Sequence, residues 1–284
     1  MNKIGFNLLV WSGGLPESFF QVTDRLKLLG YDGIECFMEE RDKNIYKKFS
    51  SHLRTIGLDA TCVLGLGPDE NPIGESKAIR DKAIIRLKEA IDCAHLMESK
   101  ILCGPFHSAF ATFTNRRPPD EQEYLWSAEV LHTAGDYAAQ AGITLTPEAL
   151  NRFECYLCNT MDQLLKLINL VSHPNVRAMF DTHHGNIEEK KLKEALVKIG
   201  PVLRHVHISE NDRGTPGDGH IPWDETFSTL ATIKYGGWLT IEAFTRNDPN
   251  FANAINVWRE YSKPWDMAEN GLKFIRGMCA KHGL

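Results

Sequence analysis

A single (β/α)8 barrel is the fold that the 284-residue sequence predicts, and three observations carry the expectation. Short β-rich runs alternate with longer amphipathic runs along the whole chain, the pattern of a parallel sheet wrapped in helices. Eight such strand-then-helix units are legible, the number that closes a barrel. The last four strands each end in a ligand-type side chain: Glu148, Asp181, His207 and Glu242. A carboxylate ending an apolar strand is unfavourable unless something pairs with it. In a barrel every strand opens its C-terminal end on the same face, so the four side chains are expected to converge there.

The elements follow in order. The first strand is expected at Lys3–Trp11, followed by a helix from about Pro16 to Leu29 that Gly30 stops. Asp32–Phe37 is the second strand, and a helix near Lys43–Ile56 ends at Gly57. The third strand, Asp59–Leu64, runs into a Gly- and Pro-rich loop, Gly65–Ser76. Ile84, Leu87, Ile91 and Ala94 share one face of a long helix over about Lys77–Met97. Lys100–Cys103 is the fourth strand and Gly104–Pro119 its loop; the next helix starts after Pro118-Pro119, at about Asp120, and runs to Ala141, before Gly142. Strands five to eight are Thr144–Glu148, Val176–Asp181, Leu203–His207 and Trp238–Glu242. Helices are expected near Met161–Val171, Glu188–Ile199 and Asp224–Ile233, with one or two more over much of Asn253–Lys281. Alternation along the strands puts Thr144, Thr146 and Glu148 on one face, as it does His205 with His207, and Trp238 and Thr240 with Glu242.

Composition excludes several classes. The hydrophobic fraction of 43% and charged fraction of 24% are those of a soluble globular protein. A net charge of −5 gives nucleic-acid binding little electrostatic support. No apolar run reaches the roughly 18 residues of a membrane span, and the N-terminus lacks the apolar core of a signal peptide. Seven scattered cysteines point to reduced thiols in a cytoplasm. Cys155-Tyr-Leu-Cys158 has neither the second pair of a zinc ribbon nor a redox-fold context.

Three carboxylates and one imidazole are a hard, oxygen-rich set that suits Mn²⁺, Mg²⁺ or Co²⁺ better than a structural zinc. His184, three residues after Asp181, is a candidate to polarise a substrate oxygen, and Arg213 in the loop after strand seven a candidate to hold a hydroxyl or carbonyl. The glycines of that loop, Ser209–His220, have a phosphate cradle as their alternative reading. Trp11, Phe106, Phe110 and Phe113 are candidates for the wall of a sugar pocket, with ordinary packing as the alternative.

Four segments, Glu148–Glu154, Asp181–Glu189, His205–Glu210 and Pro222–Glu225, resemble the ketose 3-epimerases, the D-tagatose, D-psicose (allulose) and L-ribulose 3-epimerases of the xylose-isomerase-like TIM barrels. The resemblance spans nearly the whole chain, from Met-Asn-Lys-Ile-Gly to the Val-Trp-Arg at Val257–Arg259. It implies a metal held by Glu148, Asp181, His207 and Glu242, Mn²⁺ or Co²⁺ as that metal, and a homodimer or homotetramer. It also implies that Glu154, His184 and Arg213 contact the O1–O2 end of a small sugar. This chain departs from the family pattern at Asn7, Val63, His183 and Gly185, and Pro147 stands before the first ligand where a parallel strand rarely tolerates proline. Asn7 and Gly185 are expected to leave room for a larger or more polar substrate.

The chemistry expected is inversion at C3 of a free ketose through a metal-stabilised cis-enediolate, with Glu148 and Glu242 as the acid–base pair on opposite faces. The nearest rival is another sugar isomerisation, or a 3-keto-sugar epimerase or lyase, running through the same intermediate. A nuclease of this fold would want more histidine ligands and a basic groove. A non-catalytic sugar-binding protein would not need the intact ligand set.

Overall fold

The computed structural model describes residues 2–284. Eight parallel strands form one sheet in the order β5-β4-β3-β2-β1-β8-β7-β6: β1 Ile4–Asn7, β2 Gly33–Phe37, β3 Asp59–Val63, β4 Ile101–Gly104, β5 Thr144–Pro147, β6 Ala178–Asp181, β7 Leu203–Ile208 and β8 Trp238–Ile241. Around it lie α1 Phe19–Leu29, α2 Lys43–Ile56, α3 Lys77–Leu96, α4 Glu121–Ala141, α5 Met161–Val171, α6 Thr182–Glu188, α7 Leu192–Ile199, α8 Trp223–Thr232, α9 Pro249–Ala254 and α10 Pro264–His282. This is the expected (β/α)8 TIM barrel. Among the described residues no helix is long and apolar enough to cross a membrane.

The helix stops and starts obey local chemistry. Gly30, Gly57 and Gly142 end α1, α2 and α4 in the left-handed region, and Asp120 with Glu123, and Thr160 with Gln163, form reciprocal caps at α4 and α5. The first strand is shorter than expected. The side chain of Asn7 accepts the N–H of Leu9 and turns Leu8–Val10 into a 3-10 helix, so that only Ile4–Asn7 pair as β1.

The barrel closes loosely between β5 and β6, where a single bridge joins Leu145 to Val176. Pro147 gives the reason. Leu145 donates to Asn175 and accepts from Arg177 across this seam. Residues two apart in a strand point their backbone groups to the same side, so position 147 faces β6 as well, and proline has no N–H to offer it. The proline is tolerated because it sits where the ladder ends.

The main apolar core lies between strands and helices. A smaller cluster of Leu9, Val63, Ile101, Cys103 and Met179 fills part of the barrel itself. Beside it the interior is polar: Asn7, Glu35, Thr61, Thr146, His205, His207 and Thr240 are all buried. Such a layer needs paired partners throughout.

Candidate active site

The four strand ends meet. Glu148 follows β5, Asp181 ends β6, His207 lies near the end of β7 and Glu242 follows β8; one ligand atom from each lies within 4.8 Å of all the others. His207 Nδ1 stands 3.4 Å from Glu242 Oε1, 3.7 Å from Asp181 Oδ2 and 3.9 Å from Glu148 Oε1. These separations exceed a hydrogen bond, and among the described residues neither His207 Nδ1 nor Glu148 Oε1 has a hydrogen-bond partner. Donors that share one divalent ion at about 2.1 Å lie no more than about 4.2 Å apart. The three distances from His207 Nδ1 all fall within that limit, and the donor types suit such an ion.

Buried carboxylates this close together draw positive charge from every side. Burial raises the pKa of Glu148 well above the ordinary carboxylate value, and Glu242 adds to the rise. Burial opposes charge on Asp181 too, yet the Arg213 guanidinium holds its pKa well below the usual value. At His207 burial disfavours the imidazolium, but Glu242 and Glu35 outweigh it and the pKa rises well above normal. Arg213 Nη1 donates to Asp181 Oδ2 at 3.0 Å, to Glu242 Oε2 at 2.9 Å and to Ser209 Oγ at 2.9 Å.

Asp181 has a second role in the local fold. It is the N-cap of α6, its Oδ1 accepting the N–H of His184 at 3.0 Å. That cap starts the short helix that carries His183 and His184 into the cleft. The expected helix Glu188–Ile199 is thus a correction: the chain forms Thr182–Glu188 and Leu192–Ile199, with Glu189 ending the first. Arg152 fastens α6 to the β5 loop through three hydrogen bonds to Glu188.

The tautomer of His184 follows from its neighbours. Its Nδ1 accepts the backbone N–H of Asn151 at 3.0 Å, so the proton of the neutral ring sits on Nε2. Burial, and then Arg213, lowers its pKa well below normal, which keeps the ring neutral. Nε2 faces Arg213 Nη2 at 2.9 Å. Two donors meet side by side, an arrangement that one acceptor oxygen within reach of both would satisfy. The same assignment rules out a second metal site at Glu154, His183 and His184, although their ligand atoms are also close, because His184 offers a proton there and not a lone pair. Glu154 accepts from Asn151 Nδ2 at 2.9 Å, and burial raises its pKa.

Arg213 itself adopts a left-handed backbone, φ 64°, and its guanidinium lies over the Phe244 ring at 5.0 Å. The loop that aims it is ordered by Glu210. This fully buried carboxylate accepts the N–H groups of Asn211, Gly217 and Ile221 and the indole N–H of Trp223. Asp212 accepts the N–H of Gly214, and Asn211 that of His220. These loop amides are committed to the loop's own side chains, which counts against the phosphate-cradle alternative. Glu210→Ala removes four acceptor contacts worth about 1 kcal/mol each. The expected result is a mobile loop, a fall in kcat of about tenfold or more, and unchanged metal content. Wild-type kcat in that variant would show that the loop does not need its anchor.

A family comparison places this geometry. The model of the xylose isomerase-like TIM barrel matches residues 23–277. The chain belongs to the xylose isomerase-like TIM barrels. A D-psicose 3-epimerase of Ruminiclostridium cellulolyticum is 30% identical over 296 residues, covering 99% of each chain. The crystal structure of a D-allulose 3-epimerase from Methylomonas sp. superposes with a TM-score of 0.91 at 29% identity, covering 98% of both chains. A 3-dehydro-D-guloside 4-epimerase of Escherichia coli is 28% identical over 244 residues, 82% of this chain and 90% of its own. The chain is an isomerase, and sugar epimerisation is the activity that its relatives' names share.

Several expectations about the epimerase's pocket are corrected. Asn7 is fully buried and makes no pocket wall: Nδ2 donates to Glu35 Oε1 at 3.0 Å and reaches Glu242 Oε1 at 3.4 Å. Gly185 makes room for the core and not for substrate, since a Cβ there would stand 2.6 Å from Phe180. Trp11 and Phe106 are core residues, and Phe113 leans on Tyr156 outside the cleft. Phe110, Val63 and His183 do line it. The reading from sequence missed Glu35, Asn151 and Phe244. Glu35 alone carried a signal, a carboxylate inside the apolar run Gly33–Phe37. Cys155 and Cys158 are free thiols in the apolar core.

The epimerase's cleft has a volume of ≈ 820 Å³. Polar groups from the loops after β5 to β7 line it together with Phe37, Phe110 and Phe251. Apolar and aromatic lining with a few hydrogen-bonding groups suits a small sugar.

Proposed function

We propose that this epimerase inverts C3 of a free ketose of the D-tagatose, D-psicose or L-ribulose type. The observation that carries the reading is the constellation itself: four convergent ligand atoms, with His184 Nε2–H and Arg213 Nη2 meeting beside them. Glu148, Asp181, His207 and Glu242 would hold Mn²⁺, with Co²⁺ or Mg²⁺ as alternatives. When bound, the ion supplies Lewis-acid stabilisation of the negative charge that develops on the substrate's oxygens. His184 donates its Nε2 proton in a hydrogen bond to the carbonyl oxygen, and Arg213 Nη2, beside it, donates to the same oxygen. Glu148 and Glu242 stand at the ends of different strands; one takes the C3 proton and the other returns a proton to the opposite face. Glu154 holds Asn151, which fixes the His184 tautomer. The neutrality of His184 suits a donor that must not lose its proton to a neighbouring carboxylate. The seven free cysteines support a cytoplasmic setting, and the resemblance to ketose 3-epimerases supports a homodimer or homotetramer.

A second reading, C4 epimerisation of a 3-keto-glycoside, has one observation in its favour. The cleft continues past the ligand set to Gly65 and Gly67, where nothing lies within 4 Å of an added Cβ. That is room for a second sugar or an aglycone, and the relative in Escherichia coli is named for a glycoside. Turnover in deuterated water separates the two. The expected product is a free ketose carrying deuterium at C3. Deuterium at C4 of a 3-keto-glycoside, with no turnover of free ketoses, would move the assignment to the second reading.

A further inference from the structure

We infer that Glu35 is a positioning residue, which holds the proton of His207 on Nε2 and so turns the lone pair of Nδ1 toward the ion. The inference rests on the reading of His207 as a metal ligand.

Glu35 lies in β2, on the far side of His207 from the other carboxylates, and no part of it reaches solvent. The hydrogen-bond directions around it are fixed one from the next. The backbone N–H of Leu9 donates to Asn7 Oδ1 at 2.9 Å, so the other end of the Asn7 amide must be its NH₂. That NH₂ donates to Glu35 Oε1 at 3.0 Å. On the other oxygen, Thr61 Oγ1 donates at 2.9 Å and the Cys103 thiol at 3.2 Å. A carboxyl surrounded by donors is an acceptor on both oxygens. His207 Nε2, 2.7 Å from Oε1, therefore brings the proton to this contact. Its other nitrogen, Nδ1, is left without a hydrogen-bond partner among the described residues and faces Glu148, Asp181 and Glu242. A carboxylate behind a ligating histidine fixes the ring's rotation and tautomer and makes its lone pair more basic. Asn7 links the two layers, because the same NH₂ also reaches Glu242 Oε1 at 3.4 Å.

The competing use of these atoms is a second, buried metal site, since Glu35, Cys103, His205 and His207 also bring ligand atoms within 4.8 Å. The distances speak against it. Glu35 lies 2.7 Å from His207 Nε2 and 2.8 Å from His205 Nε2, separations shorter than the roughly 3.3 Å or more between donors around one tetrahedral ion.

The test has one arm on the native protein and one on a variant. In the zinc-loaded enzyme, which is diamagnetic, ¹⁵N-histidine NMR is expected to show His207 with a proton on Nε2, strongly deshielded, and a metal-shifted Nδ1; His207→Gln assigns the signals. Elemental analysis is expected to find one zinc per chain. A proton on Nδ1, or two zinc ions per chain, would overturn the inference. In the second arm, Mn²⁺ binding is measured by titration calorimetry. Glu35→Gln, shown folded by circular dichroism, is expected to weaken the dissociation constant by about 10- to 100-fold. A merely structural role would lower the melting temperature and leave that constant alone. If the wild-type protein binds no Mn²⁺, the metal reading falls and Glu35 with it. If wild type binds and folded Glu35→Gln binds equally well, the inference about Glu35 alone is wrong.

Discussion

Glu242→Gln is expected to stop epimerisation while the protein still folds and still takes up metal. A single base would return the proton it removed to the same face of the sugar, and C3 would not invert. Inversion asks for a group on each face. Glu148 and Glu242 are the two glutamates of the convergent set and come from opposite ends of the β5–β8 arc. Glutamine keeps an oxygen for the ion but cannot carry the proton. Positioned acid–base groups supply about 10²–10⁴-fold each, so kcat should fall by about that range in either Glu242→Gln or Glu148→Gln. Exchange of the C3 proton with deuterated solvent is then followed separately from epimer formation. Either glutamine variant is expected to lose the epimer first, because inversion needs both groups and exchange needs one. Undiminished epimer formation by a metal-loaded Glu242→Gln would show that this carboxylate is not one of the pair.

Removal of the divalent ion is expected to have the other large effect. Purified protein should hold about one ion per chain, and a chelator should abolish turnover until Mn²⁺ or Co²⁺ is restored. The reason is electrostatic. Glu148, Asp181 and Glu242 are buried together, with one imidazole and one guanidinium against them. Without an ion, the negative charge that develops on the substrate's oxygens beside these three carboxylates loses its Lewis-acid stabilisation. The barrel core does not depend on the ion, so the chelated protein should stay folded. An ion at a hundred times its dissociation constant adds about 2.7 kcal/mol to stability, and the melting temperature should fall by the corresponding amount on chelation. Full turnover in protein shown to be metal-free by elemental analysis would dispose of the metal reading.

The barrel was legible in the sequence because its cues are local. Strand alternation, helical periodicity and the glycines after α1, α2 and α4 each depend on a few neighbouring residues. What went unread was equally physical. The helix Thr182–Glu188 is short and polar, without a periodic apolar face; it exists because Asp181 caps it and Glu188 is tied to Arg152. Near the C-terminus the expected helical stretch from Asn253 divides into Pro249–Ala254 and Pro264–His282, and the irregular residues between them supply part of the cleft wall, including Asn256 and Tyr261.

By itself the sequence determined the eight-fold alternation, the four ligand-type side chains at strand ends and the polar residues downstream of them, since each is a matter of residue type and spacing along one segment. Only the tertiary structure decided how those groups are oriented. The contact between His207 and Glu35 joins residues 172 positions apart. The tautomer of His184 depends on a backbone N–H from another strand's loop, and Arg213 is aimed by a loop that a buried Glu210 and Trp223 hold together. Asn7 and Gly185 show the same limit from the other side: both looked like space in a pocket, and both are packed inside the protein. A sequence records which groups are present. Their protonation and direction come from partners that meet only when the barrel closes, because a hydrogen bond acts over about 3 Å whatever the distance along the chain.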